Sequence, residues 1–208
     1  MEKTYRTLAR AERAEIAKIK GSRFIASGFP YVGEEALAAE ILRLRGEFRD
    51  ANHHGYAWRD GERFRYSDDG EPSGSAGKPI LQQIDGGKVD RVAVVVTRIF
   101  GGTKLGVGGL VRAYGAAARE LFASAEIVEV VPYRVVTVTI DYEFSGAVAS
   151  VANTFGVTAV DSAFGERARQ SFEIVLDRLD AFTAALTDQT AGRAEISVAN
   201  PDDRPEAG

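Results

Sequence analysis

The sequence predicts an α+β protein of two domains, and three observations support this prediction. Of its 208 residues, 45% are apolar and 27% are charged, the balance of an ordinary globular protein. Residues 1–126 carry 20 basic and 17 acidic side chains, a net charge of +3, whereas residues 127–208 carry 6 and 13, a net charge of −7. The second part also has the element order βαββαβ. We therefore expect domains at 1–130 and 131–200 and a disordered tail at 201–208.

In the first domain, strand-like and helix-like periodicities alternate. Residues 2–20 are charged with isolated apolar side chains and are expected to form a short helix or an arm. Strands are predicted at 22–27, 52–59, 63–67 and 92–99, and the last should be covered on both faces. Helices are predicted at 34–45, 76–84 and 110–125. Asp60 and Gly61 mark a hairpin turn, and Ser75 is the expected N-cap of the middle helix.

The second domain has the clearer pattern. Residues 134–142 alternate between apolar and polar side chains, which is typical of a strand with one buried face. Further strands are predicted at 157–163, 167–176 and 193–199. Helices are predicted at 144–155, ended by Gly156, and from Asp177 as N-cap to about residue 187. This order is that of a ferredoxin-like domain.

Composition excludes several function classes. The chain has no cysteine and two histidines, so no thiolate nucleophile or cysteine-ligated zinc site is possible and no metal or other cofactor is predicted. No apolar run approaches the roughly 20 residues of a membrane-spanning helix, and no signal-peptide pattern begins the chain, so we expect a cytoplasmic location. Because the sequence contains neither a nucleophile elbow nor an H-E-x-x-H motif, we assign no catalytic residues.

The first motif is a polar loop of sequence DDGEPSGSAGKP at residues 68–79. It lacks the first glycine and the final Ser/Thr of a P-loop, so a Walker site is rejected. The carboxylates could bind magnesium, or the loop could be a rigid structural turn, and the local pattern favours the turn. Its candidate residues, together with the two histidines discussed below, are His53, His54, Asp68, Asp69, Glu71, Ser73, Ser75 and Lys78.

The second motif joins a buried strand to a helix through a glycine-rich loop at residues 101–109. No acidic side chain lies between Arg91 and Arg119, so the loop and helix form a basic surface. Backbone N–H groups at a helix start attract anions, which makes a phosphate-bearing ligand the natural partner. Close helix–strand packing explains the glycines equally well. The candidate phosphate or nucleic-acid contacts are Arg23, Arg98, Gly101, Gly102, Lys104, Gly106, Gly108, Gly109 and Arg112.

His53 and His54 are adjacent in a predicted strand, so their side chains should point to opposite faces of the sheet. They cannot then chelate one metal together. One of them could act as a general base, although a structural role is the more common one for such histidines. Five aromatic side chains could stack on nucleic-acid bases, although most aromatic residues at such spacings belong to the core: Phe24, Tyr56, Trp58, Tyr66 and Phe100.

Both motifs, with Lys20-Gly-Ser-Arg-Phe24 and Asn52-His-His54, resemble the IMPACT family in its bacterial YigZ branch. The resemblance is strong over residues 17–125 and weaker over 133–199. It implies a first domain like the second domain of a small-subunit ribosomal protein, a fold shared with domain IV of elongation factor G. It also implies a ferredoxin-like second domain, like domain V of that factor. Eukaryotic members resemble regulators of translation that act through an additional N-terminal domain, so that role is not expected to carry over. For the bacterial branch, the resemblance implies nucleic-acid or ribosome binding through likeness of fold.

Three functions remain open. The first is a non-catalytic binding protein whose partner is RNA, the ribosome or a translation factor, held by phosphates at the glycine-rich loop. The second is an enzyme that acts on a phosphorylated small molecule or nucleotide with magnesium. The third is a protein-interaction module that docks through the acidic second domain. The sequence favours the first, with no membrane partner.

Overall fold

The computed structural model describes residues 4–200, so the tail at 201–208, expected to be disordered, lies outside the described residues. The chain divides into two compact units, Tyr5–Val130 and the chain from Val131 onward. Each unit combines antiparallel strands with helices, which confirms the α+β class.

The first unit contains seven strands and three helices. The strands are β1 (Tyr5–Leu8), β2 (Glu12–Glu15), β3 (Arg23–Pro30), β4 (His53–Asp60), β5 (Arg63–Ser67), β6 (Val92–Ile99) and β7 (Ile127–Val130). The helices are α1 (Glu34–Glu47), α2 (Gly77–Gly87) and α3 (Val107–Ser124). Every predicted helix and strand between residues 22 and 125 is therefore present, and no end is displaced by more than three residues.

A five-stranded antiparallel sheet of order β2-β3-β6-β4-β5 organises this unit. Helix α1 packs on one face through Leu37 and Leu44. Helices α2 and α3 cover the other face, where Ile80 and Leu121 meet the inward side chains of the strands. Because β6 lies in the middle and is buried on both faces, its near-continuous apolar run is explained.

The prediction of a helix or an arm for residues 2–20 was wrong. β1 pairs with β7, which is more than 110 residues away in sequence, and β2 pairs with β3 at the edge of the sheet. The buried Leu8 joins the core under α3. Long-range pairing therefore decides the structure here, and the many charges of β2 suit an exposed edge strand.

The second unit has the βαββαβ order expected from its sequence. Its elements are β8 (Tyr133–Ile140), α4 (Ser145–Phe155), β9 (Ala159–Phe164), β10 (Ala168–Val175), α5 (Leu179–Gln189) and β11 (Glu195–Ala199). The four strands form an antiparallel sheet of order β11-β8-β10-β9. Phe172 and Phe182 lie at the centre of its core, and Gly156 ends α4 in the left-handed conformation as expected.

Two predicted helix caps were wrong. The Ser75 hydroxyl donates to the carbonyl of Pro72 at 2.5 Å, and Ala76 precedes α2 instead. Asp177 lies in a single 3-10 turn and makes no side-chain cap to α5. The helix α3 also begins earlier than expected, so Gly108 and Gly109 belong to its first turn rather than to the loop.

Gly77 allows α2 to start directly against the end of β5. A Cβ atom at this position would lie 2.6 Å from the carbonyl oxygen of Ser67 and 2.7 Å from its nitrogen. Both atoms belong to backbone, which cannot rotate away as a flexible side chain could. The loop before α2 can therefore adopt this conformation only because Gly77 has no Cβ atom.

We expect Gly77→Ala to lower the free energy of unfolding by about 1–3 kcal/mol, because backbone must move to admit the methyl group. Gly146→Ala is the matched control, since Gly146 also lies in the first turn of a helix and has no atom within 4 Å of its added Cβ. Higher helix propensity should make that variant neutral or more stable by up to about 1 kcal/mol. Urea unfolding measures both, and equal effects would contradict the steric explanation.

Candidate functional site

The loop at residues 68–76 is held by its own carboxylate. The two oxygens of Asp68 accept hydrogen bonds from the backbone N–H groups of Gly74, Ala76 and Gly77 at 2.7–2.9 Å. Asp68 therefore caps the start of α2 from eight or nine residues upstream. Since an acidic side chain already occupies this helix start, it is not available to an external anion.

Asp69 connects the same loop to β4 and α1. Its Oδ2 accepts from the backbone N–H of His54 at 2.6 Å, and its Oδ1 accepts from Arg45 at the same distance. Its carbonyl oxygen lies 2.8 Å from Nδ1 of His53. Because a carbonyl only accepts, Nδ1 of His53 carries the proton and Nε2 faces Glu71 at 3.9 Å.

Glu71 lies at the centre of a buried polar cluster. Its Oε1 accepts hydrogen bonds from Arg98 at 2.7 Å and from the Tyr114 hydroxyl at 2.8 Å. The side chains of Glu71 and Arg98 are only 3% and 7% exposed. Burial and the adjacent carboxylate raise the pKa of Tyr114 far above its usual range, so the phenol remains a hydrogen-bond donor.

This cluster corrects the role predicted for Arg98. Arg98 and His53 are paired across β6 and β4 and project toward the α2 and α3 layer, where Arg98 meets Glu71. The guanidinium therefore points inward and is not a surface contact for phosphate. Its Nε is buried without a hydrogen-bond partner among the described residues. The guanidinium carbon of Arg98 lies 5.7 Å from the ring centre of Phe24 and 5.5 Å from that of Phe100.

His54 points to the opposite face of the sheet from His53, as expected for adjacent strand residues. It is buried, and its Nδ1 lies 3.0 Å from the hydroxyl of Thr97. Burial, with a smaller contribution from Arg45, lowers the pKa of His54. His54 is therefore a structural histidine that stays neutral near pH 7.

The carboxylates of the polar loop do not converge on one point. Asp68 binds backbone amides, Asp69 binds Arg45 and His54, and Glu71 is turned inward toward Arg98. Among residues 4–200, no group of three or more metal-ligating side chains forms. The arrangement does not support the magnesium-dependent alternative, and it favours the reading of this loop as a rigid structural element.

The start of the glycine-rich loop is packed backbone against backbone. A Cβ atom on Gly101 would lie 1.9 Å from the carbonyl carbon of Gly21, and the Gly101 N–H donates to the hydroxyl of Ser22 at 3.1 Å. The Phe100 N–H donates to the side chain of Asn52 at 3.1 Å. Gly101 is therefore a packing glycine, which was one of the two explanations that the sequence left open.

The rest of the loop is open. Gly102 and Gly106 adopt positive φ angles of 87° and 75°, and Gly106 precedes α3 without a side-chain cap. No acidic residue lies in the first turn of this helix. Lys104 is exposed and has no charged partner among the described residues. In contrast to α2, no carboxylate of residues 4–200 occupies this helix start.

A groove of about 440 Å³ lies between α2 and α3. Its polar lining comes from Arg112 and Arg119 on α3 and from Gln82 and Gln83 on α2. Both arginines are exposed, and residues three and four positions away from each on α3 are all uncharged. Among the described residues, the groove is thus lined by two guanidinium groups and two amides, without a carboxylate.

The other predicted contacts lie apart from this groove. Arg23 forms a two-point ion pair with Glu15 at 2.7 and 2.9 Å. Ser73 and Lys78 are exposed.

Sequence reasoning missed Tyr114 as a polar partner because it counts as an apolar position on the buried face of α3. It also missed Gln82 and Gln83, for which no sequence signal existed.

Comparison with known proteins places the chain in a family. Residues 20–122 match the Impact N-terminal domain, and residues 138–193 match a domain of unknown function (DUF1949). The match to IMPACT family member YigZ of Escherichia coli has 31% identity over 87% of this chain and 91% of that protein. The match to IMPACT family member YvyE of Bacillus subtilis has 30% identity and covers 93% and 90%.

Taken together, the two domain matches and these near full-length relatives show that the chain belongs to the IMPACT family and is YigZ-like. An IMPACT family member of Thermus thermophilus is 48% identical over 51% of this chain and 58% of its own length. A crystal structure described only as that of a hypothetical protein matches with a TM-score of 0.66 and 28% identity, over 98% of this chain and 100% of that one. Within residues 4–200, the helices are too short or too polar to cross a membrane.

We expect Glu71→Gln to destabilise the protein by about 3–5 kcal/mol, because it leaves the Arg98 charge buried without a countercharge. The double variant Glu71→Met/Arg98→Met removes both charges and should be more stable than the single variant. Glu40→Gln is the control, since Glu40 pairs with Arg43 at the surface and should cost less than about 1 kcal/mol. Chemical unfolding distinguishes these cases, and similar losses for Glu71→Gln and Glu40→Gln would refute the importance of the buried pair.

The lowered pKa of His54 predicts a pH effect. The unfolded chain takes up a proton on this residue near pH 6.5, whereas the folded protein resists it until lower pH. The stability that His54 contributes is therefore present above about pH 6.5 and is lost as the pH falls below it. Thermal unfolding at about pH 7.5 and pH 5 should show a larger drop in Tm for the wild type than for His54→Gln. If Tm fell equally with pH in both proteins, His54 would not be the cause of the pH-dependent stability.

Proposed function

We propose that this IMPACT family protein is a non-catalytic, cytoplasmic binding protein that contacts a translation-linked RNA or ribosomal partner through its phosphates. The supporting observation is a set of exposed cations without carboxylate partners among the described residues: Lys104, Arg112 and Arg119. They lie on the open loop and on one side of α3. Such a surface attracts phosphate groups and loses affinity as salt increases.

The exposed arginines of α3 differ from other arginines of this unit in having no carboxylate partner among the described residues. Several of these lie within hydrogen-bonding distance of a carboxylate, namely Arg10, Arg13, Arg23, Arg43, Arg45 and Arg59. No acidic residue lies between Arg91 and Arg119, and neither Arg112 nor Arg119 forms an ion pair among the described residues. Their charge therefore remains available to a ligand, and the neighbouring amides of Gln82 and Gln83 add hydrogen-bonding capacity.

The proposed link to translation rests on the domains. We propose that residues 1–130 form the IMPACT-type domain, related to a domain of a small-subunit ribosomal protein and to domain IV of elongation factor G. We propose that residues 131–200 form a ferredoxin-like domain, which the strand order β11-β8-β10-β9 supports. Because one fold can bind many different ligands, a direct measurement of RNA binding decides the proposal.

A binding role is better supported than the enzymatic alternative. That alternative requires Asp68, Asp69 or Glu71 to hold magnesium beside a phosphate-binding loop. Each of these carboxylates is instead committed to N–H or O–H donors of the chain. The open cations of α3 require no such partner, because phosphate itself supplies their countercharge.

Lys104→Ala/Arg112→Ala should weaken binding to RNA and reduce the slope of log affinity against log salt by about 1.4, since each lost phosphate contact contributes roughly 0.7 for a single strand. Fluorescence anisotropy with a labelled RNA, measured across a range of salt concentrations, gives both quantities. Unchanged affinity and slope in a folded double variant would contradict the proposal.

Arg178→Ala/Arg193→Ala is the matched control. Both residues are exposed in the second unit, and the double substitution removes the same formal charge. The control should retain the wild-type salt slope if the surface on α3 is the contact. An equal reduction in both double variants would indicate a general effect of net charge instead.

A further inference from the structure

The edge strand β5 presents two exposed aromatic side chains on one face. Phe64 and Tyr66 are 52% and 43% exposed, although large apolar side chains usually lie inside. β5 pairs with β4 on one side only, so it is the last strand of the five-stranded sheet. Neither ring belongs to the hydrophobic clusters of the described residues. These rings therefore require an explanation other than core packing.

The strand geometry arranges the two rings as a pair. Residues two apart in a strand project to the same face and are separated by about 6.6–6.8 Å along it. Tyr66 lies opposite the small Ala57, and Phe64 lies opposite Arg59. The guanidinium of Arg59 lies 5.3 Å from the centre of the Phe64 ring and is fixed by Asp85 at 2.7 Å. One ring is thus supported by a cation, and its neighbour has a small residue beside it.

Basic side chains alternate with these rings. Arg63 and Arg65 project to the opposite face of β5, and their side chains are 73% and 61% exposed. Their nearest carboxylate contacts, at 3.9 and 3.5 Å, are long and solvent-exposed, so these ion pairs are weak. Each guanidinium can therefore exchange its carboxylate for a phosphate. Alternation of aromatic and basic side chains matches a ligand that combines flat bases with a charged backbone.

We propose that Phe64 and Tyr66 form a stacking platform for two unpaired bases of single-stranded RNA, whose backbone passes along the open edge of β5, where Arg63 and Arg65 reach it from the other face. This inference rests on the proposed function and extends it, since it states that the RNA is single-stranded where it meets β5. A duplex keeps its bases stacked on one another and offers the platform nothing to bind. The cations of α3 supply salt-dependent attraction, and the platform supplies the preference for unpaired bases.

The test uses the full-length chain and two labelled RNAs, a 12-nucleotide single strand and a duplex of the same sequence. Phe64→Ala/Tyr66→Ala should weaken single-strand binding about tenfold for each ring removed, leave duplex binding unchanged and leave the salt slope unchanged. Tyr142→Ala/Phe164→Ala removes two exposed aromatic side chains from the second unit and should bind like the wild type. Because the substituted rings are exposed in both variants, both should fold, which circular dichroism checks.

Each other outcome overturns the proposal in a distinguishable way. Equal single-strand affinity in the wild type and in Phe64→Ala/Tyr66→Ala would remove the platform and leave the proposed function standing. A change in oligomeric state by light scattering, with RNA binding unchanged, would make β5 a contact between copies of the chain. If the wild type bound neither RNA at low salt, the proposed function and the platform would both fail.

Discussion

The buried contact of Glu71 with Arg98 and Tyr114 is the interaction on which the candidate site depends. It joins three parts of the fold, since Glu71 comes from the loop before α2, Arg98 from β6 and Tyr114 from α3. Removing two charges from water is costly, so the pair is not primarily a source of stability. Its role is to fix the loop in one position against the sheet, and thereby the start of α2 beside α3.

The same contact distinguishes the buried cation Arg98 from the exposed cation Lys104. Arg98 lies six positions before Lys104 in the basic segment. Arg98 forms a buried ion pair with Glu71, whereas Lys104 remains exposed. Sequence alone treats the two cations as equivalent. The alternation of β6 directs Arg98 toward the α2 and α3 layer, and the loop after Gly101 directs Lys104 to solvent. Of these two cations, only Lys104 is exposed and thus accessible to the phosphate-bearing ligand of the proposed function.

Features determined by local pattern could be predicted from the sequence. The buried strand at 92–99, the hairpin around Gly61 and the inward face of α3 each follow from residues close together in the chain. Features determined by distant partners could not. β1 forms because β7 pairs with it, and Asp68 replaces Ser75 as the cap of α2 because the loop folds back on itself. No sequence pattern indicated that Gln82 and Gln83 line the groove, because α2 and α3 come together only in the folded protein.

The two helix starts on this side of the sheet differ in whether a carboxylate of the described chain occupies them. Both α2 and α3 follow polar, glycine-rich loops, so both carry a partial positive charge at their first turn. At α2 the carboxylate of Asp68 satisfies that charge, and Gly77 closes the contact with Ser67, so this end is structural. At α3 no carboxylate of the described chain takes that place, and exposed cations reinforce the charge. Under the proposed function, an external phosphate supplies at α3 the negative charge that Asp68 supplies internally at α2.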